Sequence, residues 1–244
     1  MKSTSSLQQN SFMNQTADSN DILANFDFTE IDEKDPSLGE GHKMIYDREV
    51  PFELKSEENN GPQEVASFEA LRCKILIGGV ENNPLQIRIE LSCEDDLFFH
   101  FTSDIDEETF KIMQKNQKLT VNFPEFSDLL KKLLNNCIND PNSYIAVFII
   151  QKEGAGRLDF IQNIEYKFIE LLSVDFVNSP DETVRKQISY RYNAVRTKLE
   201  LVQNRIQAIS NIVKIKNPSL LLQIQKAPAK LNMTIKSGNM PAIK

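Results

Sequence analysis

Histidine and cysteine are scarce in this chain: two of the first and three of the second among 244 residues. Cys73, Cys93 and Cys137 are too far apart for a zinc-finger pair, and no His-Glu-x-x-His helix is present. An odd, widely spaced set of cysteines suits reduced thiols packed as small apolar residues in an intracellular protein. His42 and His100 stand alone, and His100 is expected to be exposed or hydrogen-bonded. Gly154-Ala-Gly156 is half a dinucleotide fingerprint and leads into a strand rather than a helix. Asp104-Ile-Asp106 begins like a calcium loop but lacks the sixth-position glycine, and Lys115 stands where the bidentate glutamate belongs. The carboxylate pairs Asp95-Asp96 and Glu107-Glu108 fall at loops and helix starts, where they serve as solvated caps. The sequence therefore offers no catalytic, cofactor-binding or metal-binding set, and a non-enzymatic protein is expected.

Long apolar runs are missing as well. The longest, residues 145–150, is far too short to cross a bilayer as a helix, so no membrane insertion is expected. Residues 1–20 are rich in Ser, Gln and Asn without an apolar stretch, which argues against a secretory signal. A cytoplasmic protein is the natural expectation. What is present is ordinary for a globular domain: 40% hydrophobic and 26% charged residues. The net charge of -7 argues against nucleic-acid binding over the whole surface. Charge is unevenly spread, however. Residues 1–40 carry eight acids against Lys2 and Lys34, whereas no acid follows Glu200.

Residues 1–41 show little periodicity and end in Pro36 and Gly39-Glu-Gly41, so they are expected to be disordered. Strands are predicted at 44–54, 71–77 and 85–91, the last two forming a hairpin around Gly78-Gly79 and Asn82-Asn83-Pro84. Leu85, Ile87, Ile89 and Leu91 alternate with polar residues, as Leu97, Phe99 and Phe101 do in the next strand. Two helices follow. The first is capped by Asp104 with Glu107 three residues on; the second is opened by Pro124 and apolar at the 3.6-residue period from Phe126 to Ile138. Three further strands are read at 144–151, 157–162 and 166–177. The fold class is α+β: a roughly seven-stranded antiparallel β-sandwich or barrel head, 42–178, with two inserted helices.

A long helical stalk then runs from 179 to 214, with Asp181 and Glu182 in its first turn. Tyr192, Val195, Leu199, Val202, Ile206, Ile209 and Val213 are spaced 3-4-3-4-3-4, the seam of a short coiled coil. The alternative is that this stripe packs on the chain's own head. Residues 215–244 form a basic tail; Lys214, Lys216, Lys226 and Lys230 suit an acidic partner such as tubulin, or simply a solvated end.

The ordered set Asp96-Leu-Phe-Phe-His-Phe, Asp106-Glu-Glu-Thr-Phe110, Leu119-Thr-Val-Asn-Phe123 and Phe126-Ser-Asp-Leu-Leu130 resembles the head of the spindle assembly abnormal protein 6 family, followed directly by a stalk. Arg157-Leu-Asp-Phe-Ile-Gln-Asn163, 166–176, Tyr190-Arg-Tyr-Asn-Ala-Val195 and Asn217-Pro-Ser-Leu-Leu-Leu222 look more like its short branch, which lacks the long coiled coil. The resemblance implies a self-associating structural protein of the centriole or basal body, cilium or flagellum, and related microtubule cytoskeleton. Its implied partners are itself, tubulin and other centriolar or ciliary proteins. It also implies parallel stalk dimers and a head-to-head contact at Tyr166, Lys167 and Phe168, where the family inserts a bulky side chain into the next head. The alternative at that position is that Tyr166 merely begins a strand, with Phe168 in the core. Scaffolds of DNA end joining also set a small β-rich head on a helical stalk and are the alternative function.

Overall fold

The computed structural model describes residues 27–56, 67–81, 83–219 and 222. Residues Phe28–Val195 make one compact unit, and the helical residues from Arg196 onward belong to a second.

The first unit is built on a closed barrel of seven strands: β1 (Lys43–Ser56), β2 (Ser67–Val80), β3 (Asn83–Cys93), β4 (His100–Asp106), β5 (Tyr144–Ile150), β6 (Ala155–Ile164) and β7 (Lys167–Asn178). Around the barrel they run β1-β2-β3-β4-β7-β6-β5. Among the described strands every pairing is antiparallel except β1 with β5, where Phe52–Ser56 run parallel to Ala146–Ile150 and close the ring. A parallel neighbour needs a crossover rather than a hairpin. Two helices inserted between β4 and β5, α1 (Glu107–Gln117) and α2 (Phe123–Asn139), supply part of that long return.

Alternation in β3 places Ile87, Ile89 and Leu91 inside the barrel. Leu85, expected to share that face, is exposed: it lies near the β2–β3 turn, beyond a register shift at Gly78/Gly79. Gly79 has φ +93°, and a β-carbon there would also meet the Leu85 side chain at 3.0 Å. A glycine is needed on both counts. The strand expected at 97–101 starts later. Residues 94–99 form a loop, and both His100 and Phe101 are buried at the start of β4.

The centre of the barrel is aromatic. Phe148 packs edge-on against Phe101 and Phe176, with ring centroids 5.0 and 5.6 Å away. Gly156 makes room for it, since a β-carbon there would lie 2.6 Å from Phe148 Cζ. A second cluster joins the inserted helices, with Phe110 4.9 Å from Phe126 and 5.5 Å from Phe123. On α2 the predicted stripe is the buried one: Phe126, Leu130, Leu133, Leu134 and Cys137. Asn122 and Glu125 form a reciprocal capping box at its start. The cap of α1 is Asp106, whose carboxylate accepts from Thr109 N at 2.8 Å. The expected cap, Asp104, instead accepts from Arg88 Nε at 2.6 Å across the β3–β4 pair.

The third helix, α3 (Asp181–Lys216), begins within this unit. Val184, Gln187 and Ala194 are its buried residues. Among the described residues, no helix is long and apolar enough to cross a membrane.

Part of the segment expected to be disordered is ordered. Residues Thr29–Asp32 form a helical turn, Pro36–Gly41 a 3-10 turn, and Asp35 and Ser37 are buried. The reason is polar rather than apolar packing, since Asp35 and Ser37 bond to Lys74, Glu90 and Gln187. Residues 1–26 of the expected 1–41 segment lie outside the described residues.

Candidate self-association surfaces

Three places on the chain carry the features that an assembling protein needs, and each arises from a local property of the sequence. The first is the turn between β6 and β7. The β6–β7 ladder ends at Ile164 opposite Lys167, leaving Glu165 and Tyr166 to make the turn. Tyr166 is 95% exposed, and its neighbours Ile164 and Phe168 are 44% and 64% exposed. Phe168 is therefore not a core residue, and Tyr166 lies in the turn rather than starting the strand. An aromatic residue held out on a rigid hairpin loses little conformational entropy when a partner covers it.

The second is a groove of about 180 Å³ between α1 and the starts of β3 and α2. Pro84, Phe110, Phe123 and Pro124 line it together with Glu107, Lys111, Gln114 and the two asparagines Asn83 and Asn122, so its exposed lining is more polar than apolar. A lining that mixes apolar and polar groups suits a tyrosine, whose ring needs cover and whose hydroxyl needs a hydrogen-bond partner.

The third is the stalk. Tyr192, Val195, Leu199, Ile206 and Ile209 of the heptad stripe are between 38% and 67% exposed. Tyr192 and Val195 lie within the compact unit, yet the buried helix positions there are Val184, Gln187 and Ala194. Over that stretch, packing on the head and the apolar stripe use different faces of the helix.

The root of the stalk is tied to the head by buried polar groups. Ser179 N donates to His100 O at 2.9 Å, and His100 Nδ1 lies 2.8 Å from Ser179 Oγ. Burial, with Arg191 and Lys74 adding like charge, pushes the His100 pKa down to about 4. His100 is thus hydrogen-bonded and held neutral. Nearby, Ser37 Oγ donates to Glu90 Oε2 at 2.6 Å and accepts from Lys74 Nζ at 3.1 Å and Gln187 Nε2 at 2.9 Å. Lys74 also pairs with Asp35 at 2.5 Å. This network binds residues 35–37 to β2, β3 and α3 together. Desolvation holds the Glu90 carboxyl above the usual carboxylate range. Sequence reasoning missed the network. Asp35-Pro36-Ser37 is readable as a cap and turn, but Lys74, Glu90 and Gln187 sit at ordinary polar positions.

The three cysteines are buried and free, and burial raises the thiol pKa of Cys73 and Cys137, so these two are inert packing groups. Among the described residues, no three His, Cys, Asp or Glu side chains come together as a metal site. Of the basic tail, Lys214 and Lys216 end α3. Lys226 and Lys230 lie outside the described residues.

Residues 44–176 match the centriolar protein SAS N-terminal domain, more than half of the chain. The chain belongs to this family. Two relatives are spindle assembly abnormal protein 6 homologs. The one from Gallus gallus is 27% identical over 116 residues, covering 43% of this chain and 18% of that protein. The one from Danio rerio is 18% identical over 173 residues, covering 68% and 27%. The chain thus spans about a fifth to a quarter of the length of these relatives. Among solved structures, an N-terminal fragment of Drosophila melanogaster Sas-6, dimerised via the coiled-coil domain, superposes with TM-score 0.62 at 14% identity, covering 78% of this chain and 91% of that one. An N-terminal fragment of Leishmania SAS-6 containing parts of its coiled coil gives TM-score 0.61 at 17% identity, covering 74% and 99%. At such identities these structures establish the fold of the SAS-6 head. The matches lend no support to the DNA end-joining alternative.

Proposed function

We propose that this chain is a non-enzymatic, self-assembling structural protein of the centriole or basal body and of related ciliary or flagellar cytoskeleton. Its stalks pair through Tyr192, Val195, Leu199, Val202, Ile206, Ile209 and Val213. Its heads join when Tyr166, flanked by Lys167 and Phe168, enters the groove beside Phe110 and Phe123 on the next head. The observation that carries this reading is Tyr166 itself: a 95% exposed aromatic on a hairpin tip of a centriolar head domain. Large apolar groups left in water on a rigid tip mark interaction sites. Tip and groove are different surfaces, so the contact is heterologous and propagates into a ring or filament. The coiled-coil dimerisation described for the Drosophila fragment supports the stalk half of the reading.

The decisive experiment is Tyr166→Glu in the full chain. Sedimentation velocity should show the higher oligomers lost, stalk dimers kept and the thermal midpoint nearly unchanged. Oligomers that persist in the variant, or a variant that unfolds, would refute Tyr166 as the contact. A tagged copy should mark centrioles or basal bodies; a purely nuclear signal would return the DNA-scaffold reading.

A further inference from the structure

We propose that the β3–β4 loop, residues 94–99, grips the stalk of a second copy of this chain. The inference rests on the stalk pairing proposed above and adds a head-to-stalk contact between the two copies.

The loop is held by the stalk. Arg191 donates from Nη1 to Cys93 O and from Nη2 to Leu97 O, both at 3.0 Å. Asp96 accepts from Phe98 N at 3.0 Å, fixing the tip of the loop. Phe99 turns inward to the aromatic core, but Leu97 and Phe98 remain 46% and 73% exposed. A phenylalanine this exposed on a loop tied at both ends is positioned rather than merely uncovered.

Helix geometry indicates what it faces. At 100° per residue, the head-facing stripe Val184, Gln187, Arg191 and Ala194 lies roughly a quarter of a turn from the seam stripe that begins at Tyr192 and Val195. Arg191 flanks the seam directly, at a position that faces the partner helix across a parallel pair. The loop it holds therefore stands on the side of the seam where the second helix arrives. Charge agrees. The loop carries Glu94, Asp95 and Asp96 and no base, whereas the stalk between Glu182 and Glu200 carries Arg185, Lys186, Arg191, Arg196 and Lys198, of which Lys186 and Arg196 pair with those two flanking acids. An acidic, aromatic-tipped loop then meets the basic side chains of the second copy's helix. The occupant is the second copy's helix, because Arg191, which holds the loop, flanks the stripe through which the stalks pair.

The test uses the full chain with a benzophenone amino acid at position 98, prepared as a mixture of ¹⁴N- and ¹⁵N-labelled copies. Irradiation should give mixed-isotope crosslinks that map to residues 185–199 of the other copy. Phe98→Ser should weaken the dimer about tenfold, as loss of a central aromatic anchor does. Asp95→Lys with Asp96→Lys should weaken it in a way that high salt erases. Crosslinks confined to one copy or to another head, or an unchanged dimer constant for Phe98→Ser, would overturn the inference while leaving stalk pairing intact. If the unmutated chain sediments as a monomer at every concentration, stalk pairing fails and this contact falls with it. Leu199→Asp provides the monomer reference for all arms.

Discussion

Acid should loosen this protein at a specific joint, the meeting of His100 with Ser179. The folded pKa of His100 is about 4, against an ordinary value of 6.5. For a base whose folded pKa is depressed, the neutral form is favoured by folding. Its contribution is complete above pH 6.5 and disappears as pH falls toward 4, because there the unfolded chain binds a proton that the folded chain refuses. At about 1.4 kcal/mol per pKa unit, acidification from pH 7 to 4.5 removes roughly 2–3 kcal/mol, a large share of a domain's stability. Glu90 acts in the opposite sense: its raised pKa favours the folded state as pH falls, so it offsets part of the loss. His100→Asn isolates the histidine, since the variant keeps Glu90. It should be less stable than wild type at pH 7, having lost packing, yet should lose markedly less on acidification. Denaturant unfolding followed by circular dichroism at pH 7, 6, 5 and 4.5 measures both slopes. Equal losses in wild type and variant would show that His100 is not held neutral by its burial.

Replacing Leu199 and Ile206 together by Asp should convert a concentration-dependent dimer to a monomer with an unchanged head melting transition, since an apolar seam cannot accept unpaired carboxylates; a wild-type chain already monomeric in sedimentation would refute the seam. Gly156→Ala should destabilise the head by about 1–3 kcal/mol, because the new methyl overlaps the Phe148 ring and the packed barrel cannot widen; an unchanged denaturation midpoint would disprove that close packing. A peptide spanning 214–244 should bind an acidic polymer such as tubulin at low ionic strength and release it at high; binding insensitive to salt would refute the electrostatic reading of the basic tail.

The elements of this fold are short-range facts, and the sequence alone determined them well. Period-two alternation in Ile87, Ile89 and Leu91 marked β3, and the 3.6-residue stripe from Phe126 to Cys137 marked the buried face of α2. Pro124 marked the first turn of that helix. These depend on neighbours within a turn or a pleat, so composition and spacing are enough. Tertiary structure decided what depends on distant partners. Nothing local specifies that β1 lies parallel to β5 and closes a barrel, because that pairing joins residues about ninety positions apart. Nor does local pattern reveal that Ser37, Glu90 and Gln187 share one buried hydroxyl, since each is an ordinary surface residue until the other two arrive. The same holds for Leu85, whose alternation predicts burial but whose place near a hairpin tip carries it past the end of the core. Periodicity says which side of an element is apolar; only the packed fold says whether anything of the chain's own is there to cover it.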